Sequence, residues 1–149
     1  MFFLRELPTR RMLQRYRDEF PEMETRDVAE ALHLLRRASL LMRELEAYFA
    51  AHSLSQTRFL TLIVIDRELE RDGLLPSEIA DRLDVSRPVV TDTIRTLVKA
   101  GLLSVEGARD GRTKRVVLTL EGRAALARLL PGYFRLISGF MTRSAHRAP

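Results

Sequence analysis

Residues Pro76–Gly122 read P-S-E-I-A-D-R-L-D-V-S-R-P-V-V-T-D-T-I-R-T-L-V-K-A-G-L-L-S-V-E-G-A-R-D-G-R-T-K-R-V-V-L-T-L-E-G. Ile79, Ala80 and Leu83 share one face of a short helix predicted over Ser77–Asp84. Asp84-Val85-Ser86 is the turn, where Asp84 tolerates left-handed backbone and Val85 plugs the angle between helices. Ser86 is the expected N-cap of the next helix, with Pro88 in its first turn. Val90, Ile94 and Leu97 face inward there, and Gly101 stops the helix. Leu102–Glu106 and Arg115–Leu120 are β-prone and pair as a hairpin around a basic, Gly-containing loop. The order is helix, turn, helix, strand, loop, strand: a helix-turn-helix with a wing.

Working outward, Leu74-Leu75 can add a short strand to the wing sheet. Phe59, Leu60, Leu62, Ile63 and Ile65 make a helix over about 56–70 apolar on most sides, with Ser55 as its N-cap and Asp72-Gly73 as its end. Before it, residues 24–51 form a long helix. Val28, Ala31, Leu35, Ala38, Met42, Leu45 and Phe49 recur in steps of three and four, with Leu34, Leu41 and Tyr48 as a second line. That face is wider than one partner helix covers, which points to an intersubunit seam as well as a core. Met12, Leu13, Tyr16 and Phe20 lie on one face of a short helix between Thr9, its N-cap, and Pro21; so short a helix needs a docking partner. After the wing, Thr119 caps a last helix carrying Leu126, Leu129, Leu130, Tyr133, Phe134, Ile137, Phe140 and Met141, which Pro131 is expected to interrupt and kink.

The expected organisation is one domain: an extension over 1–23, long helices over 24–52 and 121–149, and a winged helix-turn-helix region over 53–120. The fold class is mainly α with a small antiparallel β wing. No apolar run approaches the ~20 residues that span a bilayer, and no secretory signal is present, so the expected location is cytoplasmic. The 149 residues include no cysteine, which excludes disulfides and thiolate metal sites. His33, His52 and His146 are scattered; a zinc site from His33, His52 and Glu30 is much less favoured than no metal site. No nucleophile–base pair, phosphate-binding Gly loop or catalytic carboxylate pair is found, so neither an enzyme nor a cofactor is expected.

The net charge of +5 is unevenly spread. Residues 86–115 carry seven Lys/Arg against three acids, while 21–85 carry eight Arg against thirteen acids. A basic stripe on a small protein suits a polyanion, most often nucleic acid. A helix fits the major groove and its N-terminal half reaches base edges. On the helix that Ser86 caps, the outward positions are Arg87, Pro88, Val89, Thr91, Asp92, Arg95, Thr96 and Lys99. They offer a guanidinium for guanine or phosphate, hydroxyls for phosphate or bases, and apolar surface for a thymine methyl. Asp92 has two readings, acceptance from cytosine N4 or a local ion pair with Arg95 or Lys99. The wing carries Arg109, Arg112, Lys114 and Arg115; an arginine at a hairpin tip enters the narrow minor groove, and Asp110 can orient Arg112.

From Leu54 to Leu126 the chain resembles the MarR family of winged-helix transcription regulators. The resemblance is carried by L-S-Q-T-R-F, S-E-I-A-D-R-L-D-V-S-R-P-V-V-T, L-V-K-A-G-L-L and D-G-R-T-K-R-V-V-L-T-L-E-G. The last matches the family's D-x-R-x5-L-T-x-x-G signature at Asp110, Arg112, Leu118, Thr119 and Gly122. The helix at 24–51 resembles the family's first dimerisation helix. The resemblance implies a homodimer whose N- and C-terminal helices intertwine and whose winged units read a pseudo-palindromic operator. It places Ser86, Pro88, Val89 and Thr91 on recognition-helix contacts, Arg112 in the minor groove and Asp110 as its orienting partner. It also implies release from DNA by a small, often phenolic, anion.

Four positions depart from the family pattern. Ser53 stands where a Gly often precedes the third helix, and Val105 where an Arg usually closes the first wing strand. Asp92 replaces a common basic residue, and Pro149 ends the chain before the family's usual last helix, a surface the helix over 9–20 is expected to supply. Arg36, His52, Arg58 and Phe59 have two readings: the lining of an effector pocket, or surface ion pairs and core packing, the second favoured. The expected function is a DNA-binding regulator, most often a repressor. The alternative is a winged-helix dimer whose basic face meets an acidic protein partner.

Overall fold

The computed structural model describes residues 2, 4–107 and 114–145. Six helices and two strands follow one another as α1 (Arg10–Glu19), α2 (Thr25–Ala51), α3 (Gln56–Asp66), α4 (Pro76–Arg82), α5 (Arg87–Lys99), β1 (Leu103–Gly107), β2 (Lys114–Leu118) and α6 (Leu120–Ala145). They form two compact units, a terminal one of residues 1–45 with 137–149 and a winged one of residues 46–136. Among the described residues no helix is long and apolar enough to cross a membrane.

The winged unit closes around its own core. Phe59 and Leu62 of α3, Leu74, Ile79 of α4, Val90 and Leu97 of α5, Leu103 of β1 and Val116 of β2 are fully or almost fully buried. Phe49, Phe59 and Tyr133 gather their rings in the same core, with Phe59 centred 4.6 Å from Phe49 and 4.8 Å from Tyr133. Helix α3 starts as the sequence indicates, with the Ser55 side chain accepting the Arg58 N–H. It ends at Asp66, well before Asp72-Gly73, and the charges of the following loop pair with α4. The wing is an antiparallel pair with Leu103 opposite Leu118 and Gly107 opposite Lys114. Leu74 joins it as an isolated bridge to Val116, the outcome expected of the Leu74-Leu75 pair.

Two helix ends share one cap. At the end of α5, Leu102 N–H reaches Leu97 O and Gly101 N–H reaches Val98 O, with Gly101 at φ +74°. At the end of α2, Leu54 N–H reaches Phe49 O and Ser53 N–H reaches Ala50 O, with Ser53 at φ 58°. Both are Schellman motifs, which place the residue after the cap in the left-handed region. Glycine enters that region freely, whereas a residue with a Cβ is strained there by about 1–2 kcal/mol. Ser53 therefore adopts the conformation of the glycine it replaces. The turn between α4 and α5 works differently from expectation. Among the described non-glycine residues only Ser53 has positive φ, so Asp84 is not left-handed. Instead Leu83 leaves the helix extended and Val85 N–H closes a tight turn on Leu83 O at 2.7 Å.

The L-T-x-x-G part of the signature has a direct physical basis. Thr119 Oγ1 donates to Gly101 O at 2.6 Å and accepts from Gly122 N–H at 3.0 Å, so one hydroxyl ties the end of α5 to the start of α6. A Cβ on Gly122 would collide with the Leu102 carbonyl, so this close approach requires glycine. Helix α6 then runs through Pro131 rather than being interrupted by it. In the same turn the Tyr48 hydroxyl donates to Leu129 O at 2.6 Å.

The terminal unit is built differently. Thr9 caps α1 as expected, accepting the Met12 N–H, and Leu13 is buried. Ser39 Oγ donates to Phe2 O, and Arg143 pairs with Glu44 at 2.9 Å. Yet Met12 and Tyr16 on α1 and Phe20 at its C-cap remain exposed, as do Leu34 and Leu35 on α2, at 67% and 48%.

Candidate nucleic-acid interface

Helix α5 divides cleanly into two faces. Val90, Thr93, Ile94 and Leu97 are buried, while Ser86, Arg87, Pro88, Val89, Thr91, Asp92, Arg95 and Lys99 are all exposed. Ser86 occupies the N-cap position with extended backbone, but its hydroxyl makes no capping bond. Pro88 lies in the first turn, where its missing N–H is not needed for the helix ladder. Thr91 Oγ1 donates to Arg87 O and Thr96 Oγ1 to Asp92 O, which fixes both hydroxyls against the helix backbone. Asp92 pairs with Arg95 at 3.1 Å, one of the two local partners open to it, rather than with Lys99. Both side chains are about three-quarters exposed, so the pair is weak and separable.

The wing begins beside this helix. Lys114 is exposed at the start of β2 and Val105 is exposed on β1, where the family pattern has an arginine. Arg115 differs from a free wing cation: its guanidinium donates to Asp72 O at 3.2 Å. Arg109, Asp110 and Arg112 lie outside the described residues.

A cluster of charge that sequence reasoning missed sits between α3 and α4. Arg82 Nη2 donates to Glu68 Oε2 at 2.8 Å, and Arg71 lies 3.6 Å from the same oxygen. Arg71 also pairs with Glu78 at 2.9 Å, and Glu78 accepts the Leu75 N–H at 2.8 Å. The Arg82 hydrogen bond, with the Glu70 N–H, holds the Glu68 carboxyl below the usual carboxylate range. The Leu75 N–H, with Arg71, does the same for Glu78. Sequence offered one signal, the i,i+3 and i,i+4 spacing of Glu68/Arg71 and Glu78/Arg82. The Glu68/Arg71 pair forms at 3.6 Å, but the shorter contacts, Arg82–Glu68 and Arg71–Glu78, cross between the two segments.

The winged unit also holds a cavity of about 470 Å³, lined by His52, Arg58, Arg128, Leu97, Leu102 and Leu129 among others. His52 Nδ1 lies 2.8 Å from Tyr48 O; a carbonyl only accepts, so Nδ1 carries the proton and Nε2 is left for another partner. Of the four residues considered for an effector, His52 and Arg58 line this cavity. Phe59 does not, because it is fully buried in the aromatic core, and Arg36 belongs to the terminal unit. Among the described residues no three His, Asp or Glu side chains cluster as metal ligands, and Glu30 pairs with Arg26.

Two helices that share a buried inner face, the second exposed on its outer side, and an adjoining β-hairpin define a winged helix-turn-helix protein. A helix-turn-helix domain family matches residues 60–106. The HTH-type transcriptional repressor YetL of Bacillus subtilis is 28% identical over 140 residues, covering 93% of this chain and 83% of that protein. The Mycobacterium tuberculosis transcriptional regulator MosR, solved in complex with DNA, is 30% identical, with a TM-score of 0.57 over 77% of this chain and 79% of that one. A MarR family protein of M. tuberculosis, solved in complex with p-aminosalicylic acid, shares the fold with a TM-score of 0.56, at 22% identity over 78% of this chain and 83% of that one. The chain belongs to the MarR family of winged helix-turn-helix transcription regulators. Its relatives are regulators and not enzymes, and so is this chain.

Proposed function

We propose that this protein is a repressor that binds a pseudo-palindromic operator as a homodimer and is released by a small anionic effector. The observation that carries the reading is the exposed face of α5, where Arg87, Val89, Thr91, Arg95 and Lys99 stand clear of a buried inner face. Its N-terminal half supplies base contacts, while Lys99, Arg109 and Lys114 meet phosphates. Arg112 enters the minor groove, oriented by Asp110, as the family signature implies. Asp92 either stays with Arg95 or exchanges it for cytosine N4. MosR in complex with DNA and the repressor YetL support this assignment. The uncovered apolar residues of the terminal unit support a second copy, which sets two α5 helices about one DNA turn, ~34 Å, apart.

The cavity of about 470 Å³ supports a small effector that is part apolar and part anionic, because its lining combines Leu97, Leu102 and Leu129 with His52, Arg58 and Arg128. The aminosalicylate complex of a family member agrees with such a ligand.

Selection of genomic fragments on the purified protein tests the reading. It predicts one enriched inverted-repeat sequence, bound ~10³-fold more tightly than random DNA. Affinity should fall steeply with salt, and each lost phosphate contact, as in Lys99→Ala, should lower the salt slope by about one. Binding of all DNA alike, or of none, contradicts it.

A further inference from the structure

The loop over residues 67–75 is anchored at both ends to parts of the reading head. On one side the ions reach α4: Arg82 to Glu68 at 2.8 Å, and Arg71 to Glu78 at 2.9 Å. On the other side the backbone reaches the wing. Leu74 N–H donates to Val116 O at 3.0 Å, Val116 N–H donates to Leu74 O at 2.7 Å, and Arg115 holds Asp72 O. Glu68 is the centre of the charged anchor. Its side chain is only 9% exposed, and it receives two guanidiniums and the Glu70 N–H.

This is more than surface decoration. Exposed ion pairs contribute little because water competes with them. A carboxylate shielded from water and held by several donors keeps a defined geometry, and its partners lose that geometry together when it is removed. Within the loop Glu68 N–H reaches Ile65 O, Gly73 N–H reaches Arg71 O, and Gly73 packs closely on Val116, but Leu69 is almost wholly exposed and no helix or ladder runs from 67 to 73. The loop's links to α4 are the two ion pairs, and its links to β2 are the Leu74 bridge and the Gly73 contact.

From this we infer that Glu68 is a positioning residue for operator recognition: through Arg82 and Arg71 it holds the 67–75 loop as a strut that fixes α4, and with it α5, against the wing. The inference rests on the reading that α5 and the wing engage one DNA site together. Base readout needs both to arrive in register, since a small displacement breaks directional hydrogen bonds while phosphate attraction survives it. Glu68 touches no DNA in this scheme. Removing it has opposite consequences under the two accounts. If the carboxylate mattered only as a negative charge near DNA, its loss would tighten binding to every duplex. As a strut, its loss weakens the operator selectively.

The test uses full-length protein, the duplex recovered by fragment selection with the wild type, and a scrambled duplex of the same composition. In Glu68→Gln the operator-to-scrambled affinity ratio should fall about tenfold, with scrambled binding unchanged or slightly tighter and the salt slope unchanged. The Leu74 and Val116 amides should exchange hydrogen faster. Arg82→Met is the second variant; it should lower the same ratio and carries the test alone if Glu68→Gln does not fold. If both single variants fold, the double variant should be no worse than the more affected single. An unchanged ratio in the folded variant, or equal tightening on both duplexes, overturns the inference while leaving the DNA-binding reading intact. Failure of the wild type to select any sequence overturns both.

Discussion

The winged unit and the terminal unit use similar proportions of apolar sequence to different ends. In the winged unit Phe59, Leu62, Ile79, Val90, Leu97, Leu103 and Val116 bury one another, while Leu69, Val89, Val105, Leu120 and Phe134 stay exposed at scattered places among charged and hydroxylic side chains. In the terminal unit the same kind of periodicity leaves Met12, Tyr16, Phe20, Leu34 and Leu35 facing outward. Leu45 is buried, but Val28, Ala31, Leu35, Ala38 and Met42, on the same line of α2, are half-buried or exposed. Helical spacing shows which residues share a face, not which molecule covers it. The difference separates a closed core from an uncovered apolar face.

The largest effect that would sharpen this contrast is in the core. Leu62→Ala should destabilise the protein by about 3 kcal/mol, because a fully buried leucine leaves a cavity. Leu34→Ala should leave monomer stability within about 0.5 kcal/mol, as expected of an exposed position. Its effect should appear instead as a lower mass by light scattering at low concentration. Denaturant melts of both variants check the pair; equal losses would erase the distinction between the units.

Next in size is the junction of α5 and α6. Gly122→Ala should lower stability by about 2 kcal/mol, since its methyl meets the rigid Leu102 carbonyl. Smaller still is the pair of left-handed caps. Gly101→Ala has open space around its Cβ, so only backbone strain opposes it, and a loss of about 1 kcal/mol is expected. Ser53→Gly should do the reverse. It relieves strain, against some loss of unfolded-chain restriction, for a net gain of roughly 0.5 kcal/mol. Chemical melts of the two variants should move in opposite directions.

The smallest change concerns acid. The Glu68 and Glu78 carboxyls are depressed by their hydrogen bonds, so the folded chain binds fewer protons than the unfolded chain. Their contribution is present above the unfolded value of about 4.3 and is lost as pH falls through the folded values. Glu68→Gln should therefore flatten the acid limb of the melting-temperature profile below about pH 4.3 and leave its slope at neutral pH unchanged.

Much of the reading head was legible in advance because its determinants are local. The inward set Val90, Ile94 and Leu97, the stop at Gly101, the hairpin and the Thr119 cap follow from residues a few positions apart. The Leu74 bridge was legible too, from two apolar residues between turn signals. The end of α3 was not, since nothing local forbids helix over 67–70, where the chain instead leaves the helix and pairs with α4. Phe59 as an effector contact failed for a related reason. Its position on α3 allowed either surface or core, and the rings of Phe49 and Tyr133 settled it.

By itself the sequence determined the order of elements, the face that each helix of the motif turns inward and the concentration of positive charge on residues 86–115, because periodicity and composition are properties of neighbouring residues. Only the tertiary structure decided that Ser53 takes a glycine's conformation, that Gly122 admits no side chain, and that Glu68 joins Arg71 and Arg82. Each of these depends on what the folded chain brings alongside: a cap geometry, a carbonyl, a guanidinium from another helix. Side-chain spacing along one segment carries no information about that meeting until the chain has folded.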